Sequence, residues 1–435
     1  MGRARETTIQ RIVVERGAIS QLPRLLQEIG TESPILLVAD PNTWAAAGRR
    51  VAAVLVSAGF PVRECVLERA GCRSLVADEE ALAAVAAAAR EGARFLLAVG
   101  SGTINDVTRY VSWELDVPYA VVATAPSMDG YASTVAALTI KGCKRTFTAV
   151  PPVAIVGDVD VLEAAPREMI LAGLGDILGK YTSLADWKVS SLVTGESYSE
   201  EVADLVRDAL QECVHLAEST ASSGEDTGIE NAAGSIMRAL VTSGLAMLQW
   251  GNSRPASGAE HHLAHYWEMM FAQRGKEGPL HGAMVGVATS LVAELYHKLF
   301  TMTREEAGQA VSQARPETSD RYADRVRQAY EGLADEILGD IGGTYLDACN
   351  RVARQKRALE NWDELREWVR ANVPLPGQVR SLLARLGAPE EPRKLGISNE
   401  MVSRGIRNAK EVRKRYTVFR LAEDLLGVGF YQLVL

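Results

Sequence analysis

Four of the six histidines in the chain, His261, His262, His265 and His281, fall within 21 residues. Imidazoles gathered in this way are metal ligands or proton carriers near neutral pH. His261 and His265 are one helical turn apart, so on a helix both rings leave the same face, whereas His262 points about 100° away and reads as a bystander. His281 follows the break Lys276–Pro279 and opens the next helical pattern, from which it can fold back to the same spot. A carboxylate joins the set. Asp176, in Gly173-Leu-Gly-Asp176-Ile-Leu-Gly-Lys180, stands in an otherwise apolar helical pattern, where an ionised group is costly unless it is paired or binds a cation. One carboxylate and two imidazoles would hold a divalent metal and leave coordination positions open, as a catalytic site needs. Beside such a metal, His265 is a candidate for relaying a proton, as a group that titrates near neutrality.

A second group of residues suits a nucleotide. Phe95-Leu-Leu-Ala-Val-Gly100-Ser-Gly102-Thr103-Ile104-Asn105-Asp106 runs from a buried strand through a Gly-x-Gly turn into a helix. The glycines let the backbone approach a diphosphate, and the unpaired amides at the helix start stabilise its charge. Asn105 stands where the dinucleotide fingerprint has its third glycine, and the turn follows the third predicted strand rather than the first, so a plain structural turn is an equal reading of this segment alone. Asp40 ends the run Ile35-Leu-Leu-Val-Ala. A carboxylate there can accept from both ribose hydroxyls of an adenosine and would repel a 2′-phosphate, which predicts NADH over NADPH; equally, it can cap the turn Asp40-Pro-Asn-Thr. Together the two features favour NAD.

The elements that must position these residues change in character along the chain. Up to residue 160, strands at Ile35–Ala39, Arg63–Val66, Phe95–Val99, Tyr119–Ala123 and Ala154–Val156 alternate with helical patterns at Ala18–Gly30, Thr43–Ala58, Asp78–Glu91 and Thr103–Leu115, the signature of a parallel α/β layer. Beyond it, strand signals vanish, and Glu163–Lys188, Ser199–Glu218, Gly234–Leu248, Glu260–Arg274, Gly282–Leu299, Glu317–Ile337, Asp347–Val373 and Val402–Leu426 repeat apolar residues at three and four. The expectation is an α/β N-terminal domain over 1–160 and an all-α domain over 161–435, with the active site in the cleft between them. The small, polar stretch Ala221–Asn231 is expected to be a mobile loop.

Composition excludes several functions. Forty-seven Lys plus Arg against 55 Asp plus Glu leave a net charge of −8, the opposite of a nucleic-acid binder's footprint. Any anionic ligand therefore needs local cations. The run Arg404, Arg407, Lys410, Arg413, Lys414, Arg415 and Arg420 reads mostly as a solvated helix face, while Lys141 and Lys180 lie nearer the motifs. Apolar runs such as Ala81–Ala89 are far shorter than the roughly 20 residues of a membrane span. The opening Met-Gly-Arg-Ala-Arg-Glu has neither an apolar core behind it nor a myristoylation pattern. Cys65, Cys72, Cys143, Cys213 and Cys349 are odd in number and scattered, suiting buried thiols in a reducing compartment. A cytoplasmic protein is expected.

Five strings now carry a family likeness: Gly100-Ser-Gly-Thr-Ile-Asn-Asp106, Thr124-Ala-Pro-Ser127-Met-Asp129-Gly-Tyr-Ala-Ser133, Gly175-Asp-Ile-Leu-Gly-Lys180, Ser257-Gly-Ala-Glu-His261 and Leu280-His-Gly. They resemble, in order and over nearly the whole chain, the sn-glycerol-1-phosphate dehydrogenase branch of the metal-dependent group III alcohol dehydrogenase and dehydroquinate synthase superfamily. The closing stretch from Gly396 to Val418, including Tyr416-Thr417, is similar too. The resemblance implies a dehydroquinate synthase-like fold with a Rossmann-like first domain. It further implies reversible reduction of dihydroxyacetone phosphate to sn-glycerol 1-phosphate by NAD(H) or NADP(H), one divalent zinc or nickel per chain, and a homodimer or higher oligomer. Carried over position by position, Asp176, His261 and His281 match the family's metal ligands, with Asp176 also against substrate. His265 matches its substrate-contacting histidine and Asp129 a substrate-contacting carboxylate in the catalytic set. Asp40, Gly100, Gly102, Thr103, Ile104, Asn105, Asp106, Thr124, Ser127 and Ser133 match cofactor positions. Competing expectations are a glycerol or polyol dehydrogenase without phosphate specificity, a dehydroquinate synthase-like lyase, and a non-catalytic binding protein.

Overall fold

In the computed structural model, residues 8–68, 75–140, 143–222, 228–341 and 347–434 are described. Cys72 and Lys141 lie outside them, as does the centre of the expected loop Ala221–Asn231. Around that centre the chain is ordered, as the end of a helix over Glu200–Ser222 and a short turn of 3-10 helix over Ile229–Ala232.

The chain forms two compact units, residues 1–174 with 212–249, and residues 175–211 with 250–435. The expected division at 160 is thus corrected on both counts. It falls later, and the segment 212–249, expected in the all-α half, belongs to the α/β unit. Small residues decide this: Gly234 lies against Val159, and Gly244 against Ala132 and the Asp129 carbonyl, so the helix Ala233–Trp250 joins the α/β core.

The first unit is built on a six-stranded parallel sheet, β1 Arg11–Glu15, β2 Ile35–Ala39, β3 Val62–Val66, β4 Phe95–Gly100, β5 Tyr119–Ala123 and β8 Ala154–Asp158, in the order β1-β8-β5-β4-β2-β3. The central strands β2, β4, β5 and β8 are buried throughout, as near-continuous apolar runs covered by helices on both faces must be. Two features escaped the sequence. β1 is short and half-exposed, and β6 Val135–Ile140 pairs antiparallel with β7 Cys143–Thr148 as a separate two-stranded ribbon. Both carry charged or mixed residues, without the continuous apolar signal of the central strands.

The second unit is helical, around a core that includes Trp267, Tyr296, Trp362 and Phe419. Several expected helices are divided. Glu163–Lys188 is broken before Arg167 and at Gly179, and Asp347–Val373 at Asn361. Val402–Leu426 is not one helix: Asn399–Asn408 ends in a 3-10 turn, and helix resumes only at Val418–Leu426. Helices at Arg304–Gln313 and Pro376–Arg385 were not anticipated. Among the described residues no helix is long and apolar enough to cross a membrane.

Candidate functional site

In the helical unit, glycine decides where Asp176 stands. A Cβ on Gly175 would lie 2.3 Å from the carbonyl oxygen of Gly282, and one on Gly286 would lie 2.9 Å from the Cα of Gly175. The helices Arg167–Leu178 and His281–Leu299 therefore touch backbone to backbone, which only glycine permits, and Asp176 is delivered beside His281. The third helix, Ala259–Gln273, carries His261, His262 and His265. Asp176, His261 and His281 each bring one ligand atom to within 4.8 Å of the others, and His261 Nε2 stands 3.4 Å from Asp176 Oδ1.

Each of the two imidazoles is anchored by a carboxylate. His261 Nδ1 donates to Glu260 Oε1 at 2.7 Å, and His281 Nδ1 to Glu268 Oε1 at 3.0 Å. Because a carboxylate only accepts, each Nδ1 carries a proton, and Nε2 is the ring atom left to a metal, which would displace the proton that Asp176 draws to His261 Nε2. Glu260 is held in turn by Thr182 Oγ1 and the Gly258 amide, at 2.6 and 2.7 Å. The donor set of one carboxylate oxygen and two imidazole nitrogens fits a divalent cation of the zinc or nickel kind with coordination positions to spare. His265, Glu268 and His281 also cluster within 4.8 Å. There, however, both Glu268 oxygens already accept Nδ1 protons, since His265 Nδ1 donates to Oε2 at 2.9 Å, so Glu268 is an orienting group.

Electrostatics agree. Burial alone would raise Asp176, but Lys180 and the His261 hydrogen bond outweigh it, and the carboxyl titrates well below its usual range. Lys180 Nζ donates to Asp176 Oδ1 at 3.0 Å and to the Ala256 carbonyl at 3.1 Å. Burial depresses His261, yet its hydrogen bonds to Asp176 and Glu260 leave it above the usual imidazole value. His265 goes the other way: burial, only partly opposed by Glu268, pushes it down to about 3. The expectation of a group titrating near neutrality is corrected, and His265 is a neutral imidazole with Nε2 available as an acceptor. His262 belongs to neither ligand cluster.

The basic run is also corrected. Lys410 and Arg420 are buried, Arg413 and Arg415 half-buried, and Lys414 is exposed. Arg325, Glu317, Glu411 and Arg420 form an internal ion network. Arg413 and Arg415 stand in the irregular stretch ahead of Val418, where the helical reading had placed a solvated face.

In the α/β unit the nucleotide candidates gather at the carboxyl ends of β2 and β4. The strand order reverses there, since β2 pairs with β3 on one side and β4 on the other. Register pairs Val38 with Ala98, so Asp40 and Gly100 stand level on adjacent strands, at the point where doubly wound sheets bind ligands. This is why the glycine turn follows a strand other than the first. The helix Gly102–Leu115 has no side-chain cap, leaving the amides of Gly102, Thr103 and Ile104 for a ligand. Asn105 and Asp106 offer less. Asn105 is buried, with its amide bonded to Ser101 and its side chain facing Tyr119, and Asp106 accepts from Arg109 and the Ala137 amide. Asp40 Oδ1 caps the following turn, accepting from Asn42 and Thr43 at 2.8 and 2.9 Å.

Thr124 bonds back to Gly100, Ser133 Oγ turns to Val135, and Asp129 accepts from Ser243 Oγ at 3.1 Å; Thr124 and Ser127 are buried. The loop bearing Asp129 and Ser133 is clamped by Arg109, a fully buried side chain that donates to Tyr119, Asp106 and the carbonyls of Gly130, Tyr131 and Val135. Sequence reasoning missed Arg109, Glu260 and Glu268. Glu268 alone left a signal, three residues after His265 and seven after His261 on one helix face.

Comparison with known proteins places this geometry. The model of the iron-containing alcohol dehydrogenase family matches residues 13–166. Glycerol-1-phosphate dehydrogenase, NAD(P)+-dependent, of Halalkalibacterium halodurans is 39% identical over 81% of this chain and 88% of its own length. The protein of that name from Geobacillus stearothermophilus is 34% identical over 97% and 94%. Among solved structures, a probable glycerol dehydrogenase from Sinorhizobium meliloti superposes with a TM-score of 0.59 over 97% of both chains at 16% identity, a likeness of fold alone.

Proposed function

The chain belongs to the NAD(P)-dependent glycerol-1-phosphate dehydrogenase family, and on that premise we propose that it interconverts dihydroxyacetone phosphate and sn-glycerol 1-phosphate, with a divalent cation held by Asp176, His261 and His281. The observation that carries this reading is the pair of imidazoles whose Nδ1 atoms donate to Glu260 and Glu268, leaving Nε2 of each ring for a metal, with Asp176, His261 and His281 each offering one ligand atom within 4.8 Å of the others. When bound, the cation supplies a Lewis acid for the ketone oxygen and the nicotinamide a hydride for its carbon.

The chain's own residues do the rest. Lys180 offsets the buried Asp176 charge, and Glu260 and Glu268 hold the two rings in register. His265, neutral and with Glu268 on its Nδ1, accepts the substrate hydroxyl's hydrogen bond at Nε2 and so orients the reacting oxygen. The amides of residues 102–104 receive the cofactor's diphosphate, and Asp40 its adenosine ribose. Asp129 contacts substrate, oriented by Ser243. The free thiols of Cys65, Cys213 and Cys349 fit a reducing cytoplasm, and a homodimer is the working assembly.

The test is NADH oxidation with dihydroxyacetone phosphate after reconstitution with zinc or nickel, followed by the chirality of the product. sn-Glycerol 1-phosphate is expected. The 3-phosphate enantiomer, or turnover of free glycerol in preference to its phosphate, would overturn the assignment.

A further inference from the structure

Two arginines beside the histidine cluster lack counter-ions. Arg413 Nη1 and Arg415 Nη2 converge on one hydroxyl, donating to Ser253 Oγ at 3.1 and 2.8 Å, and Arg415 Nη1 also donates to the Ser257 carbonyl at 3.1 Å. Arg413 Nη2 stands 3.5 Å from His265 Nε2, and the His265 ring stacks on that of His281 with centroids 5.1 Å apart. The buried cations of this unit have carboxylate partners: Lys180 has Asp176, Arg254 has Glu196, Arg325 has Glu317 and Glu411, Arg354 has Asp424, Lys410 has Glu423, and Arg420 has Glu411. Among the described residues no carboxylate pairs with Arg413 or Arg415. Glu268 attracts Arg413 from a distance, but its oxygens accept from His265 and His281.

Burial, then Arg413 and Arg254, push Arg415 down to about 9. His262 is fully buried with neither ring nitrogen hydrogen-bonded. Two neighbouring guanidinium groups in a partly desolvated site repel each other unless an anion joins them. A phosphate dianion meets that need, because planar guanidinium forks match its oxygens in pairs.

We propose that Arg413 and Arg415 form the phosphate subsite for the substrate's phosphomonoester, with Ser253 as a third donor. Ser253 Oγ accepts from both arginines, and its own proton is left for a phosphate oxygen. The half-buried position of all three keeps the subsite open to a ligand. This rests on the activity proposed above and adds what selects a phosphorylated triose over a free one.

The experiment measures kcat/KM for dihydroxyacetone phosphate and for unphosphorylated dihydroxyacetone in the wild-type holoenzyme and in Arg413→Gln, Arg415→Gln and Arg413→Lys. The ratio of the two values is expected to fall about thirtyfold or more in each glutamine variant, as loss of a charged hydrogen bond implies, and by less in Arg413→Lys. A ratio that stays constant while both values fall together would overturn the subsite. Binding of inorganic phosphate, measured by calorimetry on the full-length protein, separates the two proposals. If the wild type turns over neither substrate, the activity fails, yet phosphate bound by the wild type and lost in both glutamine variants still supports the subsite. Equal phosphate binding in all forms refutes it.

Discussion

Replacing Glu260 by Gln removes a charge while keeping shape. The amide oxygen can still accept from His261 Nδ1 and the Gly258 amide, and Thr182 Oγ1, now facing an NH2 group, can rotate to accept. What is lost is the charge on the carboxylate that fixes the His261 tautomer. A charge-assisted hydrogen bond contributes about 1.5–3 kcal/mol and a neutral one about 0.5–1.5, so the loss is about 1–2 kcal/mol, in line with the ten- to hundredfold weaker metal binding that such outer partners typically cause. The sign of the pH effect is the reverse. Glu260 raises the pKa of His261, so the variant's imidazole sheds its proton at lower pH and competes less for it. The deficit should therefore be largest at alkaline pH, where protons compete least for His261 in either form, and should shrink as pH falls. Chelator-competition titration of zinc at pH 8.5 and 6.5, with circular dichroism to confirm the fold, makes the measurement. Affinity within about twofold of wild type at pH 8.5, against the tenfold loss expected, would show that Glu260 does not tune His261.

Gly175→Ala drives a methyl into the Gly282 carbonyl, a backbone atom that cannot swing aside. It should cost about 1–3 kcal/mol in urea unfolding and lower metal content as Asp176 moves from His281; unchanged stability and metal would contradict the close helix contact. His265→Ala should lower kcat by about a hundredfold with metal content intact, and wild-type turnover would remove its orienting role. Asp40→Ser keeps a turn cap but loses the charge, so the preference for NADH over NADPH should relax by about tenfold; an unaltered ratio of the two kcat/KM values would reduce Asp40 to a cap. Burial pushes Cys213 up to about 12. At pH 8 roughly one part in ten thousand is thiolate, so iodoacetamide should spare it until the chain is denatured, and labelling of the native protein at Cys213 would refute that burial.

Local patterns told the sequence reading a good deal. Continuous apolar runs mark β2, β4, β5 and β8, because a strand covered on both faces must be apolar along its whole length. His261 and His265 share a face by helical spacing, and Asp176 stands out as a charge in an apolar helix. Those features depend on neighbours in the chain, and they suffice for a parallel sheet, a helical half and a short list of candidate metal ligands.

What depends on contacts distant in sequence had to wait for the fold. Gly175 and Gly286 are unremarkable as letters, and only the crossing of their helices shows that neither tolerates a Cβ. Glu260 and Glu268 were given no role by the sequence, and the fold shows both accepting imidazole protons. The helical pattern Gly234–Leu248 reads the same whichever core it joins, and small residues against Val159 and Ala132 decide the matter. The basic run was the largest misreading: a helical pattern implied a wet face, whereas the chain leaves the helix after Glu411 and turns Arg413 and Arg415 toward Ser253 and His265. Sequence thus determined which side chains were available for chemistry. Their protonation, partners and charge balance were decided by burial and long-range packing, because desolvation and hydrogen bonding act through space and not along the chain.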